Sequence, residues 1–252
     1  MIVRHSRLIA LSLFVIFSLT PLCLVRPTEA GSLAPLFFSE YAEGSSNHKY
    51  FEIYNPTNDT IDLSGYAHAN TTNTVTDPGT YEYWSDFDSG AVILPNGVYV
   101  VAHPSADPKI LAEADETHYY MSNGDDGYGL VHGTEDSYVV LDWIGNWDAD
   151  PGSGWDVAGV SAATKDHTLV RKSSVLTGNT SWTNAAGADA ENSEWLVFDK
   201  DSYISSNAEY LAAANLGDHT VASAPIPEPA AVLLVLFGLS WASLLKLRSR
   251  QA

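Results

Sequence analysis

Ser39, Glu40 and Glu52 are the residues of this 252-residue chain that come nearest in type to a nucleophile with carboxylate partners. Serine hydrolysis needs a histidine within hydrogen-bond reach and a backbone that exposes the hydroxyl, as a G-x-S-x-G elbow does. His48, His68, His103 and His167 are available, yet no serine stands in such an elbow. The expectation is therefore structural: Ser39, Glu40 and Glu52 satisfy backbone donors at a sheet edge, and Asn55-Pro56 ends the second strand. No catalytic residue is expected. Zinc is disfavoured as well, because the seven histidines beyond His5 (His48, His68, His103, His118, His132, His167 and His219) form neither H-E-x-x-H nor H-x-H. They read as surface or loop residues, with Asp166 beside His167 as a local pair.

Two further groups of side chains carry chemistry. Asn123-Gly-Asp125-Asp126-Gly and Asp148-Ala-Asp150-Pro-Gly-Ser-Gly-Trp155-Asp156 concentrate the oxygen ligands that calcium prefers. Neither is an EF-hand loop: counted from Asp148, Ser153 stands where Gly is needed and Gly159 where Glu is needed. No cofactor is expected other than Ca2+ at these loops, and no metal ligand set is assigned. The aromatic residues suit sugar rings, which stack on flat faces. Tyr81, Tyr83, Trp84, Trp143, Trp147 and Trp155 are the candidates, with Trp143 in an apolar strand and so expected in the core.

Charge narrows the partners. Residues 31–226 hold 29 acidic side chains against 6 basic ones, a balance of −23. Nucleic acid is excluded as a partner, since its phosphates require clustered Lys and Arg, and an anionic membrane surface is disfavoured. The apolar content of this acidic middle suffices for a core.

The elements that must position these residues are mostly strands. Leu36–Tyr41 and Lys49–Tyr54 are β-rich runs joined by the turn-rich Glu43–His48, and in the second run Tyr50, Glu52 and Tyr54 alternate with Phe51 and Ile53. Further strands are expected at Thr60–Leu63, Val98–Ala102, Tyr128–Val131, Tyr138–Ile144, Thr168–Arg171 and Trp195–Phe198. Helices are expected at Asp107–Ala114, with Ser105 as N-cap and Pro108 in the first turn, and at Ala208–Ala214. Many short strands at this spacing point to a sandwich or barrel.

The two ends read as addresses. Arg4 and Arg7 precede the apolar run Leu8–Leu24, and Ala30 closes a small-residue cleavage site, so residues 1–30 read as a signal peptide. Cys23 is the only cysteine and lies in that run, which leaves the exported domain without a disulfide. Residues 221–226 read as a tether. Beyond it, Pro227-Glu228-Pro229 leads into the uncharged run Ala230–Leu245 and the basic tip Lys246, Arg248 and Arg250. As a helix over about 230–247 it spans a bilayer thinly, with the basic tip on the cytoplasmic side. This order resembles the PEP-CTERM sorting signal of Gram-negative bacteria. The resemblance implies an exosortase-type processing enzyme as partner, cleavage near Pro227-Glu228-Pro229, a transient stay in the inner membrane, and delivery to the cell surface or extracellular matrix.

The middle carries a second resemblance. Leu36-Phe-Phe-Ser39-Glu40-Tyr41, Phe51-Glu52-Ile53-Tyr54-Asn55-Pro56 and Ile61-Asp62-Leu63-Ser64-Gly65-Tyr66 resemble the opening of the lamin tail domain family. Asn123–Leu130, Leu141–Gly145, Asp166–Lys172, Asn192–Trp195 and Leu216–His219 resemble later blocks of its bacterial members. The resemblance implies an all-β, immunoglobulin-like β-sandwich over residues 31–220, with residues 67–90 as a long insertion. The function expected is an exported, non-catalytic surface or matrix module for adhesion, scaffolding or exopolysaccharide-associated binding, with a surface polysaccharide or protein as partner. The alternative is a secreted hydrolase, or an accessory of an extracellular nuclease or phosphoesterase.

Overall fold

Two aromatic-rich runs open the fold as a hairpin. β1 (Phe37–Glu43) and β2 (Lys49–Tyr54) pair antiparallel across a turn in which Ser46 takes φ 60°. Gly44 is required there, because a Cβ at that position would collide with Asp201 Oδ1. Phe51 and Ile53 face the main core while Tyr50 faces the opposite side, and every residue of β2 is buried. Asn55 closes the strand: its Nδ2 donates to the carbonyls of Asp59 at 2.8 Å and Leu94 at 3.0 Å, and Pro56 cannot continue the ladder.

The computed structural model describes residues 35–72, 77–148 and 150–222. After the hairpin come β3 (Ile61–Asp62), a 3-10 turn at Leu63–Gly65, β4 (Tyr66–Asn70), β5 (Tyr83–Asp86), β6 (Val92–Ile93) and β7 (Val98–Ala102). The chain continues through α1 (Pro108–Glu113), β8 (Glu116–Thr117), β9 (Tyr128–Thr134) and β10 (Ser137–Ile144). It ends with β11 (His167–Arg171), α2 (Trp182–Ala186), β12 (Trp195–Asp199), α3 (Ser202–Ser205) and α4 (Ala208–Ala213). Six strands form one sheet in the order β12-β11-β1-β2-β7-β8, four form a second in the order β10-β9-β4-β5, and β3 pairs with β6.

The two larger sheets share one core. Phe38, Phe51 and Ile53 of the first meet Tyr128, Leu130 and Ile144 of the second, with Trp195 among them. Burying each such side chain contributes about 1.5–3 kcal/mol. Ile110 of α1 and Leu216 pack with Tyr50, Val100 and Ala102 on the outer face of the six-stranded sheet. The result is a two-sheet, all-β domain with short helices.

Several expectations need correction. Residues 67–90, read as an insertion, include nearly all of β4 and the whole of β5, half of the four-stranded sheet. Ala67, Ala69 and Asn70 are poor strand formers, and only packing against neighbouring strands makes this segment extended. α1 is capped by Asp107, whose Oδ1 accepts from the Lys109 amide at 2.9 Å, and not by Ser105. β1 and β2 are interior strands, so Ser39, Glu40 and Glu52 do not sit at a sheet edge. The signal peptide and the sorting segment, including Pro227, Glu228, Pro229, Lys246, Arg248 and Arg250, lie outside the described residues. Among the described residues, no helix is long and apolar enough to cross a membrane.

Candidate functional site

Glu40 and Glu52 stand directly opposite each other on β1 and β2, both fully buried. A register shift at Ser39 places its hydroxyl on Glu52 Oε1 at 2.6 Å, so the serine is committed as a donor in the interior. Glu52 Oε2 accepts the Gly217 amide at 2.8 Å, and Glu40 accepts the hydroxyls of Tyr50 and Tyr210. Burial raises Glu40 to about 8 and Glu52 to about 7, with the charge of Glu52 adding to the rise on Glu40. The two carboxyls thus titrate near neutrality as a pair. They work as a clasp, holding α4 and the following turn onto the sheet.

A second polar junction ties the sheets together. Arg171 of β11 pairs with Asp142 of β10, and its Nε donates to the Phe38 carbonyl at 3.1 Å. Asp142 also accepts the amides of Phe38 and Asn179, both at 2.9 Å. The guanidinium lies 4.0 Å from the Trp195 ring centroid and reaches Glu194 at 2.6 Å. Burial pushes Asp142 above the ordinary carboxylate range, against the pull of Arg171 and both amides.

The acidic loops, far apart in sequence, meet at Thr164. Its Oγ1 donates to the Gly124 carbonyl at 2.6 Å and accepts the Trp155 amide at 2.8 Å. Asp126 is raised to about 7, first by burial and then by Asp125, with Asp150 contributing. Among the described residues, no group of three or more His, Cys, Asp or Glu side chains is placed to hold a metal ion. The histidines divide. His68 is buried in the core beside Phe51 and His118, and burial holds it down at about 3. His219 is nearly buried and is lowered to about 4 by burial and then by Arg171. These two are therefore not surface residues, since β4 and the clasp carry them inward. The Asp166–His167 pair is electrostatic only: Asp166 is held below the ordinary carboxylate range first by Lys200, which donates to it at 2.8 Å, with a smaller contribution from His167, whose Nδ1 lies 2.6 Å from the Lys165 carbonyl.

Four of the six aromatic candidates, Tyr81, Trp84, Trp143 and Trp147, converge on the outer face of the four-stranded sheet, while Trp155 packs against the main core. Ala67, Ala69 and Val131 supply small side chains there, and Trp147 packs on them with Tyr81, Trp84, Tyr138 and Trp143 half-buried around it. Tyr81 lies 5.5 Å from both Trp84 and Tyr138 by ring centroids, and Trp143 lies 4.6 Å from Trp147 edge-to-face. Tyr83 projects at 52 % exposure. Trp147 is 2 % exposed and forms the base of the patch. Trp143, expected in the core, borders that core and this face alike. Tyr138, absent from the sequence candidates, joins through its pairing with Gly133 on β9. Its alternation with Val140 was the available signal. The indole N–H groups of Trp84, Trp143 and Trp147 and the Tyr81 hydroxyl are all spent on partners within the protein, so the face offers mainly flat carbon surface, which is suited to binding.

Residues 29–145, just under half of the chain, match the family model of the Lamin Tail Domain. No curated protein matches the chain. The matched segment is similar to lamin tail domains, and it ends at the close of β10. β11 and β12 lie beyond it yet complete the six-stranded sheet that β1 and β2 open, β11 pairing directly with β1.

Proposed function

We propose that this lamin-tail-like β-sandwich is an exported, non-catalytic binding module of the cell surface or extracellular matrix. In this reading residues 1–30 direct export. An exosortase-type enzyme then processes the chain near Pro227-Glu228-Pro229 after a transient stay of the following segment in the membrane. The observation that carries the binding role is the aromatic patch of Tyr81, Trp84 and Tyr138 on the outer face of the small sheet. The opposite outer face, on the large sheet, is covered by helices and by the Glu40–Glu52 clasp. Its partner is a surface polysaccharide or a surface protein.

The test is retention of the purified protein on extracellular polysaccharide from a matrix-forming culture, and on cell-envelope protein. Trp84→Ala and Tyr138→Ala should each release it while the protein stays folded, with only the modest drop in melting temperature that loss of a half-buried ring brings. Binding that survives both changes removes the patch from the function. The alternative, a secreted hydrolase or nuclease accessory, is tested with phosphoesterase, nuclease and esterase substrates. Turnover that persists through purification and is lost in a single-residue variant would replace the binding reading.

A further inference from the structure

Past Trp143 the aromatic face runs into two adjoining clefts, of about 260 and 440 Å³, that share Asn146, Trp182 and Thr183. We propose that this groove binds a neutral oligosaccharide. The assignment rests on the binding reading above and names its ligand class. Both volumes fall near or within the range of ligand sites, about 300–1,000 Å³.

The rings of the groove are held in place. Trp143 Nε1 donates to the Thr180 carbonyl and Trp147 Nε1 to the Gly127 carbonyl, both at 3.2 Å, so the half-buried Trp143 offers carbon surface to a ligand while the buried Trp147 holds it from below. Trp155 is half-buried and packs on Gly145, where a Cβ would come within 2.6 Å of its ring. Gly145 takes φ 73°, so that position suits glycine on two counts. Asn146 accepts the Asp148 amide on Oδ1 at 3.0 Å, which fixes its carboxamide and turns donation over to its NH2 group. Preorganised rings with a few placed polar groups limit the ordering cost of binding.

Charge selects among sugars. Asp148 and Asp156 line the clefts, and among the described residues no Lys or Arg lines either one. Carboxylates accept strong hydrogen bonds from sugar hydroxyls but repel uronate or sulfate groups. The ordinary acidic exopolymers are thereby disfavoured, and an uncharged glycan suits the groove.

Calorimetry on the full chain in about 0.15 M salt, where surface charge is screened within ~8 Å, tests this with neutral gluco- and manno-hexasaccharides and an alginate hexamer as probes. One neutral hexamer should bind saturably, at least tenfold more weakly to Trp155→Ala and Asn146→Ala, with Trp155→Phe restoring most of the affinity. The alginate hexamer should neither bind nor compete. Neutral binding that is intact in Trp155→Ala but lost in Trp84→Ala would overturn the groove while leaving the surface-binding reading in place. So would failure of every neutral hexamer to bind wild type while matrix polysaccharide is still retained. Displacement by alginate overturns the ligand class.

Discussion

Asp142 illustrates how much one side chain carries here. By simple alternation an acid in the run Leu141-Asp142-Trp143-Ile144 faces solvent on every second position, but a register shift between Val140 and Asp142 turns it into the interior. There it accepts two amides and the Arg171 guanidinium. Removing one partner of a buried ion pair leaves the other charge uncompensated, a loss of about 3–5 kcal/mol. Asp142→Ala should therefore lower the unfolding free energy by about that amount in urea denaturation. Adding Arg171→Met should recover part of the loss, because it removes a buried guanidinium that Glu194 alone would then compensate. A double variant that is additive or worse would show that the pair is not the cause. Such a junction escapes sequence reading because a bulge leaves no mark in the residue types on either side of it.

At the scale of elements, α4 and the turn after it cover a polar stripe of the large sheet. The helix was legible at Ala208–Ala214, and the structure adds its cap, Asn207, whose Oδ1 accepts the amides of Glu209 and Tyr210. Its purpose was not, because Glu40 and Tyr210 are 170 residues apart. Glu40 carries most charge at pH 8 and above, where a buried carboxylate most needs its donors. Tyr210→Phe should thus cost about 1–3 kcal/mol at pH 8.5 and clearly less at pH 6, measured by thermal melting at both values. Equal losses would mean that the hydroxyl matters only for packing. The expected strands at Lys49–Tyr54 and Val98–Ala102 coincide with the observed ones, since β-branched and aromatic residues on a buried strand are locally decisive. β4 was missed because its stability comes from β5 and β9 and not from its own residues.

Proton linkage belongs to the whole molecule. Glu40, Glu52 and Asp126 have folded-state values near 7 to 8, above those of the unfolded chain, so the folded state holds protons that the unfolded state has released. Stability from these groups is fully present below ordinary carboxylate values and is lost as pH rises through 7 to 8. His68 and His219 act oppositely: lowered to about 3 and about 4, they cost stability once pH falls below about 6.5, where unfolded histidines take up protons. The melting temperature should therefore climb as pH falls from 8.5 to 6.5 and climb less steeply below that. Glu40→Gln with Glu52→Gln should flatten the first part of the curve, and a flat wild-type curve would contradict the raised values.

The acid excess of the domain sets one further expectation and the Pro227-Glu228-Pro229 segment another. Millimolar calcium should raise the melting temperature above that in magnesium or sodium at equal ionic strength. Asp125→Asn with Asp126→Asn, or Asp148→Asn with Asp150→Asn, should remove the difference. A ligand bound only by the folded state at a hundredfold excess over Kd adds about 2.7 kcal/mol. Equal melting in all three salts reduces the effect to screening. Protein released from the cell surface should have an intact mass ending near Pro229. Recovery of surface protein that still ends at Ala252 would make the last segment a lasting anchor.

Composition and local pattern determined the class of this protein: an acidic, strand-rich middle whose opening is similar to lamin tail domains, between ends that read as addresses. Those features depend on residue type and near neighbours, where period-two alternation, turn residues and charge act within a few positions. Tertiary structure alone decided which polar side chains are buried and which aromatic ones meet. Bulges at Ser39 and Leu141 reverse the facing of the strand residues beyond them. The Thr164 junction joins two acidic loops, and β5 and β10, with the segments flanking them, bring Tyr81, Trp84, Tyr138 and Trp147 onto one face. Each of these is a contact between residues distant in sequence, set by pairing register and packing, and therefore not written in any local stretch of the chain.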